Sequence, residues 1–417
     1  MTTQSVINRP FPPSPHATRL RSGVVRLALA LFAIQAGFHG YTASLPLALH
    51  DAGVPDPTIG VIVGAAAVVQ IPAALAGGAL VDRFGGARLV LSGALAYAAA
   101  SVLVLAAGTD PVTGQLPLLI ARIGQGIGLA TVLPAALALV PRLIEDTRRG
   151  FGLAFIASAH NLTLVILPPV SLAILERSSL PAVGLVVIGI VAVGAAIALT
   201  LPRPLWARRP ADLDPPDGPV TARRLGLAFR RSWAGLLAIV LLYVVHWGVV
   251  TAYLPQRADA AGADVGLFFV ADGLAVLALR VPSGWLADRI QLRWIVLAGL
   301  AITFVAIALL LPTPSTTLLV VAGLLTGAGA GLILTPLLVE ISRRSDERDR
   351  GSAFALFSGS LATALAIGSI AVAPIVGSAG FEAGISAALA GLVGAAILVL
   401  RERPVGRAGR GAVATVS

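Results

Sequence analysis

The sequence contains no cysteine and no lysine, and charged residues of every kind make up only 12% of it. Without cysteine, disulfides, thiol nucleophiles and thiolate metal sites are excluded. Without lysine there is no glycine-rich, lysine-ended phosphate loop, so ATP-driven work by this chain alone is not expected. A soluble domain carries about 25% charged residues. This chain has half that fraction, with 57% hydrophobic residues and a mean hydropathy of +0.91, too little polar surface to cover a water-facing globule. Lipid is the expected solvent.

Long apolar runs fill most of the chain. About 20 apolar residues cross the roughly 30 Å hydrocarbon core as a helix. Twelve such runs are read, at 25–49, 58–81, 88–108, 116–140, 151–175, 180–201, 233–255, 265–287, 294–312, 316–340, 351–376 and 381–400. They are continuously apolar, whereas the strands of a membrane barrel alternate. The expected fold is therefore an all-α membrane protein with twelve transmembrane helices. Residues 1–22 carry four prolines and read as a disordered tail, followed by a six-helix bundle over 23–201. Residues 202–232, rich in proline and arginine, read as a linker to a second six-helix bundle over 233–401, and 402–417 as a closing tail. The first span is too long for a signal-peptide core, and no small-residue cleavage site follows one, so it is expected to stay as a helix.

The net charge of +10 invites a nucleic-acid reading, but the arginines are distributed otherwise. Of the 30, 26 fall in the N-terminal tail, the even-to-odd loops and the C-terminal tail. Only Arg177 and Arg257 fall in the opposite loops, and Arg122 and Arg280 lie inside spans. Basic loops stay on the cytoplasmic side. Both termini are thus expected in the cytoplasm, in the cell's inner membrane, and the charge is a topology signal with no nucleic-acid partner.

Two landmarks repeat at nearly half the chain length. Gly78-Ala-Leu-Val-Asp82-Arg83, after the second span, recurs 206 residues on as Gly284-Trp-Leu-Ala-Asp288-Arg289, after the eighth. Arg149-Gly150, entering the fifth span, recurs 201 residues on as Arg350-Gly351, entering the eleventh. Both point to duplicated, pseudo-symmetric six-helix halves. The chain resembles the major facilitator superfamily over nearly its whole length. The resemblance rests on Gly78, Asp82, Arg83, Gly85 and Arg88 in the first loop, on Gly284, Asp288, Arg289 and Arg293 in its second copy, and on Arg122, Gln125, Gly126 and Gly128 in the fourth span. In the second copy Gln291 stands where the middle glycine belongs. The resemblance implies two halves rocking about a central cavity, with the loop motif latching them in one state and Arg122 linked to proton coupling. Likeness to the drug/proton-antiporter branch is partial: its fifth-span glycines are missing from Leu167-Pro168-Pro169-Val170-Ser171-Leu172-Ala173.

Polar groups inside spans cost about 2.5 to 3.5 kcal/mol each for charged ones, so each asks for a reason. The interiors of spans three, six, nine and twelve hold no charged residue, histidine, asparagine or glutamine, and these spans are expected to face lipid. The others carry Gln35, His39, Gln70, Arg122, Gln125, His160, Asn161, His246, Asp272 and Arg280, expected to line the interior. Asp272 is the carboxylate deepest in a span and reads as the proton-coupling or cation-binding group, with Arg122 and His246 assisting. Eight residues of helix, about 12 Å, separate it from Arg280, so the two are not expected to touch. Arg280 reads equally as a snorkelling residue. His39, His160 and His246 fall at similar depth and can relay protons. No two share a helix at i,i+4 spacing with a further acid, so no metal site is expected.

A nucleophile and base at workable spacing are absent, which disfavours a membrane enzyme, and a non-transporting sensor is the other discarded reading. The expected partners are a small-molecule substrate, protons and the bilayer, with no cofactor and a monomer as the working unit. Proton-coupled export of a small amphipathic compound and uptake of a polar or anionic nutrient both remain open. Topology is directly testable. A reporter active only outside the cell, fused after residue 417 or within 202–232, is expected to be silent, and activity at either site would break the twelve-span reading.

Overall fold

A computed structural model describes the backbone of residues 15–107, 113–143, 149–207, 226–227, 229–345 and 349–402, with some side chains inside helices outside that description. Among the described residues there is no strand. The helices are α1 (Pro15–His39), α2 (Ser44–Asp51), α3 (Asp56–Phe84), α4 (Gly86–Ala106), α5 (Gln115–Leu143), α6 (Arg149–Arg177) and α7 (Leu180–Leu199). After a short 3₁₀ turn at Arg203–Trp206 come α8 (Arg231–Asp259), α9 (Val265–Arg289), α10 (Leu292–Ala308), α11 (Thr316–Arg343), α12 (Arg350–Ala366) and α13 (Ala373–Arg401).

Local chemistry sets several of these starts. Asp264 caps α9 by accepting from the Gly266 N–H at 2.8 Å, and Ser315 caps α11 by accepting from the Leu318 N–H at 3.3 Å. Prolines stand in the first turns of α3, α7 and α13, where a missing N–H costs nothing. α1 begins at Pro15, inside the stretch expected to be a tail. The expected first span is also broken, since the chain turns at 40–43 before α2 resumes. The expected eleventh span runs through α12 and a π-turn at Ile367–Ala371 into α13, which kinks at Gly380 (φ 83°, ψ 174°).

Nine helices among the described residues are long and apolar enough to cross a membrane. α6 and α9 fall outside that set, and α10 is a shorter apolar helix of 17 residues.

The buried apolar residues divide into two clusters. One draws on Val24 to Leu205, with Tyr97, Leu139 and Val191 at its centre. The other draws on Trp233 to Val399 and takes in Ala43, Leu47, Leu75 and Leu172 from the first part of the chain. α3 packs against α12, and α6 against α9, to join them. Within each cluster, helices close on small residues, as membrane helices do where burial of apolar surface gives no drive. A Cβ on Gly128 of α5 would lie 2.6 Å from the Gly93 carbonyl of α4, and one on Gly329 of α11 would lie 2.9 Å from the Gly299 carbonyl of α10. These pairs are 206 and 201 residues apart, the spacing of the sequence repeat.

Gly85 ends α3 and begins α4 at φ 87°, ψ 139°, in a region closed to other residues, with the Trp206 carbonyl 3.2 Å from where a Cβ would stand. The second copy makes its turn through Ile290 (φ −105°) and Gln291 (φ −62°), which need no glycine. That accounts for the glycine missing there. Gly85→Ala is expected to cost about 1–3 kcal/mol, lowering the melting temperature of purified protein with helix content unchanged; an equal melting temperature would contradict the strained turn.

Candidate substrate and coupling site

Arg122 of α5 is 5% exposed and has no carboxylate within ion-pair distance among the described residues. One helical turn on, at i+3, Gln125 is its neighbour on the same face. Arg122 Nη1 donates to Gln125 Oε1 at 2.9 Å and Nη2 donates to the Val63 carbonyl of α3 at 3.2 Å. Its guanidinium also lies over the Phe38 ring of α1, 5.5 Å from the centroid. Gln125 Nε2 donates in turn to Ser101 Oγ of α4 at 3.0 Å, and Ser101 donates to the Tyr97 carbonyl at 2.9 Å. The Tyr41 and Tyr97 phenols lie within electrostatic reach of Arg122. Neither phenol has a hydrogen-bond partner of good geometry, although Tyr41 faces Ser101. Four helices thus converge on one buried cation.

Beside this network, His39 Nδ1 and Thr163 Oγ1 of α6 are 2.6 Å apart, tying α1 to α6. Gln35, one turn before His39, is fully buried with its Oε1 unpartnered. At 100° per residue its side chain leaves α1 between the directions of Phe38 and His39, which reach Arg122 and Thr163 respectively. Asn161 of α6 also has a buried, unpartnered Nδ2, while Gln70 is half-buried on α3. His160 lies outside the described side chains.

Asp272 of α9 belongs to the second cluster's surroundings and is 3% exposed. Its backbone carbonyl abuts Gly327 of α11, and the adjoining Gly273 faces Val165 of α6. It has no hydrogen-bond or ion-pair partner among the described residues, and the Tyr243 phenol of α8 is within its electrostatic reach. Tyr243 itself faces Thr303 of α10, and both hydroxyls are buried without a partner of good geometry. Arg280 is half-buried and pairs with neither Asp272 nor another acid among the described residues.

His246 is buried, and its Nδ1 contacts the Tyr243 carbonyl. A carbonyl only accepts, so Nδ1 carries the proton and Nε2 is left as the acceptor. The ring is edge-on to Tyr243 at 4.9 Å and to Trp247 at 6.5 Å. Trp247 then stacks on Phe268 at 6.4 Å and meets Phe269 edge-on at 6.0 Å, so an aromatic cluster joins α8 to α9. His39 and His246 sit in different bundles, each with its own partner.

In the loop motif, Arg83 is exposed and lies over the Phe84 ring at 5.2 Å, and Arg88 and Arg289 are exposed as well. Gly78, Asp82, Gly284 and Asp288 lie outside the residues whose surroundings are described, so the latch contacts stay an expectation.

Sequence reading passed over Tyr41, Tyr97, Ser101, Thr163, Tyr243 and Thr303, because hydroxyls in a span cost little and draw no notice. One signal was present. Tyr41 and Tyr243, and likewise Ser101 and Thr303, are both 202 residues apart, within the spacing of the repeat.

These helices, apolar outside and polar at a few buried points, define a multi-pass membrane transporter. The chain belongs to the Major Facilitator Superfamily, whose model matches residues 27–271 and 257–415. It is 26% identical over 343 residues, 79% of this chain and 85% of the relative, to an uncharacterized MFS-type transporter of Salmonella typhimurium. Its fold is similar to that of the solved nucleoside transporter NupG, with a TM-score of 0.69 and 12% identity over 91% of this chain and 98% of that one. A peptide transporter of the POT family, crystallised with sulfate, gives a TM-score of 0.72 at 15% identity over 91% and 94%. At these identities the solved structures speak for the fold alone.

Gln125→Leu is expected to leave Arg122 Nη1 without its acceptor and to destabilise the protein by about 1–3 kcal/mol. Ser101→Ala is expected to cost less, because Arg122 keeps Gln125. Thermal unfolding of the two variants in detergent checks the order.

Proposed function

We propose that this transporter is proton-coupled and exports a small amphipathic organic compound by alternating access. The observation that carries the reading is Asp272, a buried carboxylate with no counter-charge among the described residues. An unpaired charge held away from water costs several kcal/mol. The protonated form of Asp272 therefore suits a closed, dry bundle, and the charged form needs water at its side. Proton loading then selects which conformation the site adopts. Protons enter down their gradient and substrate leaves in exchange.

The proposal includes twelve spans in two six-helix halves, both termini in the cytoplasm, the inner membrane as location and a monomer as the working unit. The two apolar clusters and the arginine asymmetry support that layout. Arg122 and His246 assist, the first as a fixed cation on α5 and the second through its free Nε2. Gln35, His39 and Asn161 offer polar contacts, and Phe38 and Trp247 offer apolar ones, a mixture suited to an amphipathic compound. The two Gly-x-x-x-Asp-Arg loops are the proposed latch.

A second reading, uptake of an anionic nutrient, is favoured by one observation. Neither Arg122 nor Arg280 has a carboxylate partner among the described residues. Proteoliposomes with an imposed pH gradient separate the two directions, using a compound found by thermal-shift screening of purified protein. Acidifying the compartment equivalent to the cell exterior drives efflux in the first reading and accumulation in the second.

Asp272→Asn imitates the protonated state. It is expected to abolish gradient-driven flux while the protein still folds and binds the compound in the thermal-shift assay. Undiminished pH-driven flux in this variant would remove the carboxylate from the mechanism, and loss of folded protein would return it to a structural role.

A further inference from the structure

We infer that Arg280 of α9 and Asn161 of α6 form an anion seat between the two bundles, which takes the carboxylate of an organic acid. The inference deepens the transport reading and rests on it. It names the charged head of the transported compound and applies in either direction of transport.

Two contacts fix how α6 and α9 meet. A Cβ on Gly266 would lie 3.2 Å from Pro169 Cβ, and one on Gly273 would lie 2.5 Å from Val165 Cγ2. Numbers rise along α9 as they fall along α6, so the two helices run antiparallel. Seven residues make almost two whole turns, so Gly266, Gly273 and Arg280 stand in one row on α9. On α6, Pro169, Val165 and Asn161 follow at four-residue spacing along one face. Beyond the Gly273–Val165 contact, the next polar residues on the facing rows are therefore Arg280 and Asn161. A helical side chain covers the turn before its own Cα, which brings Arg280 back toward the level of Asn161. Gly266 and Gly273 are buried, whereas Val276, Leu277 and Arg280 are half-buried. The seam is tight at the glycines and looser where the arginine begins.

Both side chains offer donors that nothing receives. Asn161 Nδ2 is buried without a partner. The Arg280 guanidinium has no hydrogen bond or ion pair among the described residues, and only its backbone carbonyl is engaged, accepting from Ser283 Oγ at 3.1 Å. Snorkelling to the arginine-rich face does not explain this residue. α9 runs on for nine residues to Arg289, about 13.5 Å of rise, and the side chain leaves the helix in the opposite direction.

The pair selects its ligand by charge and shape. A guanidinium presents two parallel N–H groups that match the two oxygens of a carboxylate, and the amide adds a third donor. The row holds one cation, and Asp272 lies two turns back along the same helix. A monoanion balances the seat. A dianion leaves charge uncompensated where an unpaired charge is costly. Val276 and Leu277, on either side of the row, offer apolar contact to the body of the acid.

Four probes with one ring and different heads test the seat: benzoate, phenylphosphonate, benzylammonium and benzyl alcohol, titrated calorimetrically into the full chain in lipid nanodiscs. Benzoate is expected to bind at least about tenfold tighter than the other three. Arg280→Gln is expected to weaken benzoate about tenfold, and Arg280→Lys, which keeps the charge but loses the fork, about threefold. Asn161→Leu is expected to weaken it about threefold, which keeps the question answerable if Arg280→Gln does not fold. Arg401→Gln removes an exposed arginine elsewhere and is expected to leave the affinity unchanged. Equal binding of the four probes, no binding of benzoate, or parental benzoate affinity in Arg280→Gln or Asn161→Leu would overturn the seat. The expected binding losses with no pH-driven flux of any screened compound would support the seat and count against the transport reading. Flux of a screened compound that Arg280→Gln leaves untouched would do the reverse.

Discussion

In hydrocarbon no water completes a hydrogen bond, so every backbone N–H and C=O must find its partner inside the chain. That constraint makes the described structure helical and leaves its defects at a few places where another group can serve. At the π-turn before Pro374, a tyrosine from another helix donates to the Ser369 carbonyl. Lipid gives apolar faces no reason to meet each other, so approach depends on small residues, and the α4–α5, α10–α11 and α3–α12 contacts all run through glycines. The charge that remains in the interior is correspondingly rare.

The two bundles answer the same geometry with opposite charges. In the first, Tyr41 and Ser101 stand beside Arg122, whose donors are spread over a glutamine, a backbone carbonyl and an aromatic ring. A guanidinium is planar, weakly hydrated and rich in donors, so it tolerates burial through hydrogen bonds where a compact ammonium does not. In the second, Tyr243 and Thr303 occupy the equivalent positions, and the nearby charge is the carboxylate of Asp272. Arg122 keeps two hydrogen bonds, with its Nε buried unpartnered, and is permanently charged, whereas Asp272 has no partner among the described residues. In the proposed proton-coupled mechanism, a fixed cation in one bundle and an adaptable acid in the other divide the work between a permanent field and a proton that comes and goes.

Much of this was legible. Continuous apolar runs and their arginine flanks located most helices, and the 206-residue recurrence of Gly-x-x-x-Asp-Arg matches the spacing of the Gly93 and Gly299 helix contacts. Arg122 with Gln125 at i+3, and Asp272 held apart from Arg280 by two turns of helix, follow from helical periodicity alone. Three things did not follow. The turn at 40–43 interrupts the first span without any loss of hydropathy, so a run-length reading passes through it. Thr163 and Ser101 matter through which helix they face, which depends on rotation and crossing rather than on composition. The π-turn receives a donor from Tyr253, 116 residues away, and no local window contains both.

The glycines of α3 show why such features resist a sequence reading and yet set how closely two helices meet. Gly60 and Gly64 sit in a helix where glycine is intrinsically unfavourable, by about 1 kcal/mol each relative to alanine. Taken locally they weaken α3. Set against α12 and the π-turn after it, they let two backbones touch, one of them at the carbonyl that accepts from Tyr253. The same contact that repays the local cost belongs to only one arrangement of the two bundles. Parting them forfeits close packing but breaks no ion pair, because none among the described residues crosses between α3 and α12. A contact of that kind is firm when made and breaks no ion pair when parted, which suits the alternating exposure proposed for the buried acid.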